Sequence, residues 1–214
     1  MTRLYALASV ALIGILLAGV GLALWLGRSD PSEDIFAQCR TSVVAGGSAE
    51  IGGPFTLVSE TGETVTDADV ITQPTLLYFG YTFCPDVCPL DTVRNAEAVA
   101  ILEERGMMVQ PVMITVDPER DTPEVMDDFT ANIHPRMLGL TGTPEQTDAA
   151  ARAYRVYYRI NRDGDDPYYL VDHSAFAYLV LPDYGFVEFF NRDVTPAEMA
   201  DITACYVEAA AAAN

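Results

Sequence analysis

The stretch TLLYFGYTFCPDVCPL, Thr75 to Leu90, decides how the chain is read. Its opening, Thr75 to Phe79, is a short apolar run of the kind buried on both faces of a sheet. Its close turns through two prolines into a helical stretch. There Leu90, Val93, Ala96, Ala100 and Ile101 share one arc at helical spacing, and Gly106 ends the run. Val109 to Val116 is a second buried strand. Upstream, Phe55–Ser59 and Thr64–Thr66 flank Glu60-Thr-Gly-Glu63 and read as strand, tight turn and return strand. Downstream, Thr122-Pro123 and Thr143-Pro144 open two helices, the second with Gln146 at the capping-box position. Ala175–Leu181 and Phe186–Phe190 form a hairpin through Pro182–Gly185, and Thr195 with Glu198 opens a last helix with a capping box. The pattern predicts an α/β sandwich with a mixed central sheet, an N-terminal hairpin and a C-terminal helix.

Outward from that core, residues 29–53 are small and polar and read as a linker, which leaves 54–214 as the folded domain. Before them, Leu4 to Leu26 is an uncharged run between Arg3 and Arg28. At 1.5 Å per residue such a helix spans roughly 34 Å, enough for a hydrocarbon core. It is too long for the apolar part of a cleaved leader, so residues 1–28 are expected to be an uncleaved transmembrane signal anchor. Arg3 and the free amine make the short end the more positive, which puts the domain outside the cytoplasm. The chain has 214 residues, 31 acidic side chains and 12 basic ones, for a net charge of −19. Every base is an arginine. Such a field excludes a nucleic-acid partner, and the absence of lysine excludes Schiff-base and P-loop chemistry.

Cys84 and Cys88 stand one helical turn apart at the strand-to-helix turn, each followed by proline. Backbone N–H groups and the helix dipole favour thiolates there. Two inert buried cysteines are the plain alternative; a redox dithiol and a soft-metal site are the chemical ones. Redox dithiols usually carry Cys-x-x-Cys, one residue shorter than this spacing. Two sulfurs would leave Cu(I) two-coordinate, so a third ligand is sought among the two histidines. His134 precedes Pro135 at a helix end and reads as a solvated cation there. His173 stands just before a buried strand, where α/β sheets assemble sites. Cys84, Cys88 and His173 make a set soft enough for Cu(I), and a further oxygen or nitrogen would admit Cu(II).

The element order is that of a thioredoxin-like fold, and four blocks sharpen it. Tyr78–Pro89, Thr115–Pro123, Leu140–Thr143 and Val171–Tyr178 together closely resemble the Sco/SenC family, in order along most of the domain. The resemblance implies a membrane-tethered, thioredoxin-like copper metallochaperone. It would deliver copper to the CuA site of cytochrome c oxidase subunit II, with Cys84, Cys88 and His173 as ligands. The alternative it leaves is a thiol–disulfide reductase acting on the subunit II cysteines. A bacterial inner-membrane location follows from it, with the domain in the periplasm, subunit II as partner, and a periplasmic copper chaperone or thiol reductase as a second one. The block from Asp117 to Pro123 reads as structural, without a ligand. Cys39 and Cys205 are not required by the family pattern. Cys205 shares one helical arc with Met199, Ile202, Tyr206 and Ala209, and an exposed thiol outside the cytoplasm is a liability, so a bridge between the two is expected.

Overall fold

Alternation along one strand sorts the domain into layers. In β3 (Thr75–Gly80) Leu77 and Phe79 point to one face, where the Phe79 ring meets Tyr154 and Tyr178 at 5.6 and 6.0 Å. Tyr78 and Gly80 point to the other, against Asp91 and Cys88 of the following helix. Both faces are covered, so the whole strand is buried. The protein is described here from a computed structural model, over residues 12–22, 34–41, 51–85, 87–164 and 166–213. It divides into two units, Met1–Gln38 and Cys39–Asn214.

In the first unit residues 12–22 are helical (α1). The rest of the expected Leu4–Leu26 span lies outside the described residues, and no described helix is long and apolar enough to cross a membrane. The second unit holds β1 (Thr56–Ser59), β2 (Thr64–Thr66), α2 (Asp67–Val70), β3, α3 (Val87–Glu104), β4 (Gln110–Thr115), α4 (Pro123–Ala131) and β5 (Leu138–Thr141). It continues through α5 (Pro144–Ala153), β6 (Tyr158–Asn161), β7 (Leu170–His173), β8 (Ala177–Leu181), β9 (Gly185–Phe190) and α6 (Pro196–Ala213). Seven strands form one mixed sheet in the order β2-β1-β5-β4-β3-β8-β9. β3, β4 and β5 run parallel, while β8 lies antiparallel to β3. α3 and α6 pack together, α4 lies on β5 and α5 on β1. This is the thioredoxin-like sandwich, with the N-terminal hairpin added at one edge.

Local chemistry sets the boundaries. Thr143 and Gln146 close a capping box on α5, and Thr195 and Glu198 close one on α6. Pro123 and Pro144 occupy first-turn positions, where a missing N–H costs nothing. Gly185, at φ +68°, turns β8 into β9.

Two expectations need correction. The apolar arc read on α3 is not its buried face: Leu90 is 60% exposed and Val93 42%. The buried face instead carries Asp91, Thr92 and Asn95 among Ala98, Val99 and Leu102. Those polar groups are tolerable because they are bonded: Tyr78 and Arg192 donate to Asp91, and Thr92 donates to the Cys88 carbonyl. His134, read as a solvated cation, is buried instead. The Arg136 N–H donates to its Nδ1 at 3.2 Å, and burial holds its pKa below the ordinary imidazole range. The sequence reading also passed over β5 and the separate two-stranded sheet of β6 and β7.

Candidate metal centre

Three side chains from two segments converge at the carboxyl end of β3. Cys84 sits in the turn after the strand, Cys88 in the first turn of α3, and His173 ends β7. Their ligand atoms all lie within 4.8 Å of one another. The Cys88 N–H donates to the Cys84 sulfur at 3.3 Å, so the first thiol caps the helix that carries the second. Pro89 falls among the first-turn residues whose N–H groups have no helical partner, and it costs no hydrogen bond there. Cys88 Sγ lies 3.1 Å from His173 Nε2. The other ring nitrogen, Nδ1, is 3.1 Å from the Ser174 carbonyl, which as an acceptor calls for a proton on Nδ1 and turns the Nε2 lone pair toward the sulfurs.

Against the thiolates expected at the helix start, the surroundings keep Cys88 and His173 neutral until a cation arrives. Burial raises the Cys88 thiol well above its usual range, and neighbouring Cys84 adds to that. Burial also lowers the His173 pKa, so the imidazole is uncharged near neutral pH. Neither cysteine is disulfide-bonded. Two thiols that lose their protons to a metal, beside a neutral imidazole, suit a soft cation better than a hard one. Gly80 makes room for the second sulfur: a Cβ at that position would lie 3.3 Å from Cys88 Sγ and 2.7 Å from Tyr78 Cε1.

A polar frame, which the sequence reading took as merely structural, holds the two arms. Asp121 accepts from the Thr82 hydroxyl at 2.6 Å, from its N–H at 3.1 Å and from Thr115 at 2.5 Å, fixing the turn two residues before Cys84. Asp117 accepts from the Tyr169 hydroxyl at 2.7 Å, four residues before His173. The Tyr81 hydroxyl accepts from the Val171 N–H at 3.3 Å, and burial pushes its pKa up to about 12, so it stays protonated. The rings of Tyr78 and Tyr81 meet His173 edge-on at 6.2 and 5.9 Å. The other two cysteines stand apart from this group. Cys39 and Cys205 are joined, with Cα atoms 5.6 Å apart. Beside that bridge, buried Glu188 accepts from the Thr41 N–H at 3.0 Å and from the Tyr206 hydroxyl at 3.1 Å.

Comparison with known proteins agrees with this architecture. The family described as SCO1/SenC matches residues 44–208. The chain is 53% identical over 204 residues to the protein SenC of Rhodobacter capsulatus, across 95% of this chain and 90% of that one. Among solved structures it is similar to ScoI of Arabidopsis thaliana with copper bound, at 41% identity and a TM-score of 0.69, covering 74% of this chain and 99% of that one. ScoI of Bradyrhizobium japonicum with copper bound is 39% identical with a TM-score of 0.66, covering 73% and 99%.

Proposed function

The chain belongs to the SCO1/SenC family, and on that footing we propose that it is a copper metallochaperone of cytochrome c oxidase assembly. It delivers copper to the CuA site of oxidase subunit II, from a domain tethered to the bacterial inner membrane and facing the periplasm. The observation that supports this best is the convergence of Cys84, Cys88 and His173 within 4.8 Å, two thiols and one neutral imidazole. Copper here is cargo. The two thiolates hold Cu(I), and the His173 Nε2 completes the site and lets it accept Cu(II). The protein's own contribution is to keep the sulfurs close, aim the imidazole and keep water from the buried Cys88.

Copper titration followed by absorption and electron paramagnetic resonance tests the reading. One copper per chain is expected. His173→Ala should weaken Cu(II) far more than Cu(I), and His134→Ala should change neither. Unaltered Cu(II) spectra in His173→Ala would refute the ligand set. A second reading, thiol–disulfide reduction, is favoured by the closeness of the two unbridged sulfurs. The two roles exclude each other at any instant, because both use the same atoms. Protein oxidised at Cys84 and Cys88 should take up no Cu(I) until reduced, and tight Cu(I) binding by oxidised protein would mean that the metal lies elsewhere.

A further inference from the structure

His173 is carried by a part of the fold that the main sheet does not hold. Among the described residues β6 and β7 pair only with each other, and β7 reaches the seven-stranded sheet through the short connection 174–176. No ladder of backbone hydrogen bonds among the described residues therefore fixes the distance from His173 to the sulfurs. Side chains do. Tyr169 donates to Asp117 Oδ1 at 2.7 Å, with both residues buried. Arg120 donates to Asp117 Oδ2 at 2.5 Å and to the Pro167 carbonyl at 3.2 Å, and its guanidinium lies 3.6 Å from the centre of the Tyr169 ring. Four residues after Asp117, Asp121 grips Thr82 on the cysteine turn. One short segment, 117–121, thus touches both the sulfur arm and the nitrogen arm.

We infer that Tyr169, bonded through its hydroxyl to Asp117, is a positioning residue that keeps the His173 arm within reach of Cys84 and Cys88. The inference rests on the copper reading above. A phenol donating to a buried carboxylate is a charge-assisted bond, stronger than a neutral one. Its loss lets the hairpin move while the sulfurs stay where Asp121 holds them. The Tyr169 ring would keep its stacks on Arg120 and Arg162, so the change is confined to the hydroxyl and its partners Asp117 and Arg162.

The test is Tyr169→Phe in the full chain. It should still bind one Cu(I), while Cu(II) affinity falls roughly tenfold or more, as expected for one hydrogen bond to a charged group. The Cu(II) spectrum should shift. In metal-free protein, amide exchange at 170–173 should quicken, and the His173 ring protons should move because their edge-on contacts with Tyr78 and Tyr81 loosen. Asp117→Asn, which keeps an acceptor for the hydroxyl, should stay closer to the parent spectrum than Asp117→Ala. In a His173→Ala background, Tyr169→Phe should have no further effect on Cu(II) affinity. An equal loss in both backgrounds would overturn the inference. So would a lower melting temperature with unchanged spectrum, exchange and ring shifts, since Tyr169 would then be a structural residue only. A parent Cu(II) spectrum indifferent to His173→Ala would sink the copper reading instead. The metal-free exchange and ring shifts would still decide whether Tyr169 holds the arm.

Discussion

Gly80→Ala puts a methyl group between the strand and the metal centre. The new Cβ would lie 2.7 Å from Tyr78 Cε1, whereas carbon atoms in contact prefer about 3.5–4.0 Å, so the ring edge has to retreat by about 1 Å. Tyr78 is 1% exposed and bonded through its hydroxyl to Asp91 at 3.2 Å, so the retreat disturbs a buried hydrogen bond as well as packing. Overpacking of this kind costs about 1–3 kcal/mol. Replacing a strand glycine by alanine returns about 0.5–1 kcal/mol of chain entropy. The net expectation is a loss of ~0.5–2 kcal/mol, or a fall of about 1–8 °C in melting temperature for a domain of this size. The Cβ would also stand 3.3 Å from Cys88 Sγ, so that sulfur must give by a few tenths of an ångström. Thermal denaturation of metal-free protein reads the first effect, and chelator competition for Cu(I) reads the second. A variant that melts no lower than the parent and holds Cu(I) equally tightly would show that the site has slack, and the reasoning would be wrong.

The Cys39→Ser, Cys205→Ser double variant opens a loop spanning 166 positions, for which the chain-entropy relation gives about 5 kcal/mol. Thr41 stays bonded to Glu188 without the bridge, and residual order in the unfolded chain lowers the figure, so ~2–4 kcal/mol and a melting temperature lower by about 5–15 °C are expected. Copper stoichiometry should not change, and an unshifted melt would show that the bridge contributes nothing to stability. For His134, burial depresses the folded pKa, so the unfolded chain takes the proton first as pH falls. Its contribution is complete above the ordinary value near 6.5 and is lost below it. His173 is shifted in the same direction, so His134→Gln should remove only part of the decline in urea midpoint between about pH 6.5 and 5. An unchanged decline would place the proton uptake elsewhere.

The elements legible in the sequence are those whose signals are local. Thr143 with Gln146 and Thr195 with Glu198 mark helix starts because the capping groups sit three residues apart. The β3 and β4 runs declare themselves because both faces are covered. β5, only Leu138-Gly-Leu-Thr141, becomes a strand through its pairing with β4 and β1, which no window of sequence displays. β6 and β7 are four residues each and lie largely at the surface, so neither offers the long buried run that marks β3 and β4. The apolar arc of α3 is not its buried face because Asp91 and Thr92 are held in the interior by partners outside the helix or a turn away, and Asn95 by its neighbour Arg94. At the metal centre, the cysteine pair is a local motif, and His173 follows from its place beside a buried strand. The frame does not, because Thr82 and Asp121 are 39 positions apart, and Asp117 and Tyr169 are 52.

The bridge between Cys39 and Cys205 has a consequence in the order of events during synthesis. The chain is made from its amino end, so Cys39 emerges first, Cys84 and Cys88 next, and Cys205 last of the four. Four cysteines allow three pairings, and until Cys205 is made the native partner of Cys39 does not yet exist. The two site thiols are the earlier temptations. Correct closure therefore waits until β9 and α6 have been made and have brought residue 205 alongside. The bridge can close only once residue 205 has been made, and the loop that it then seals contains every residue of the metal centre.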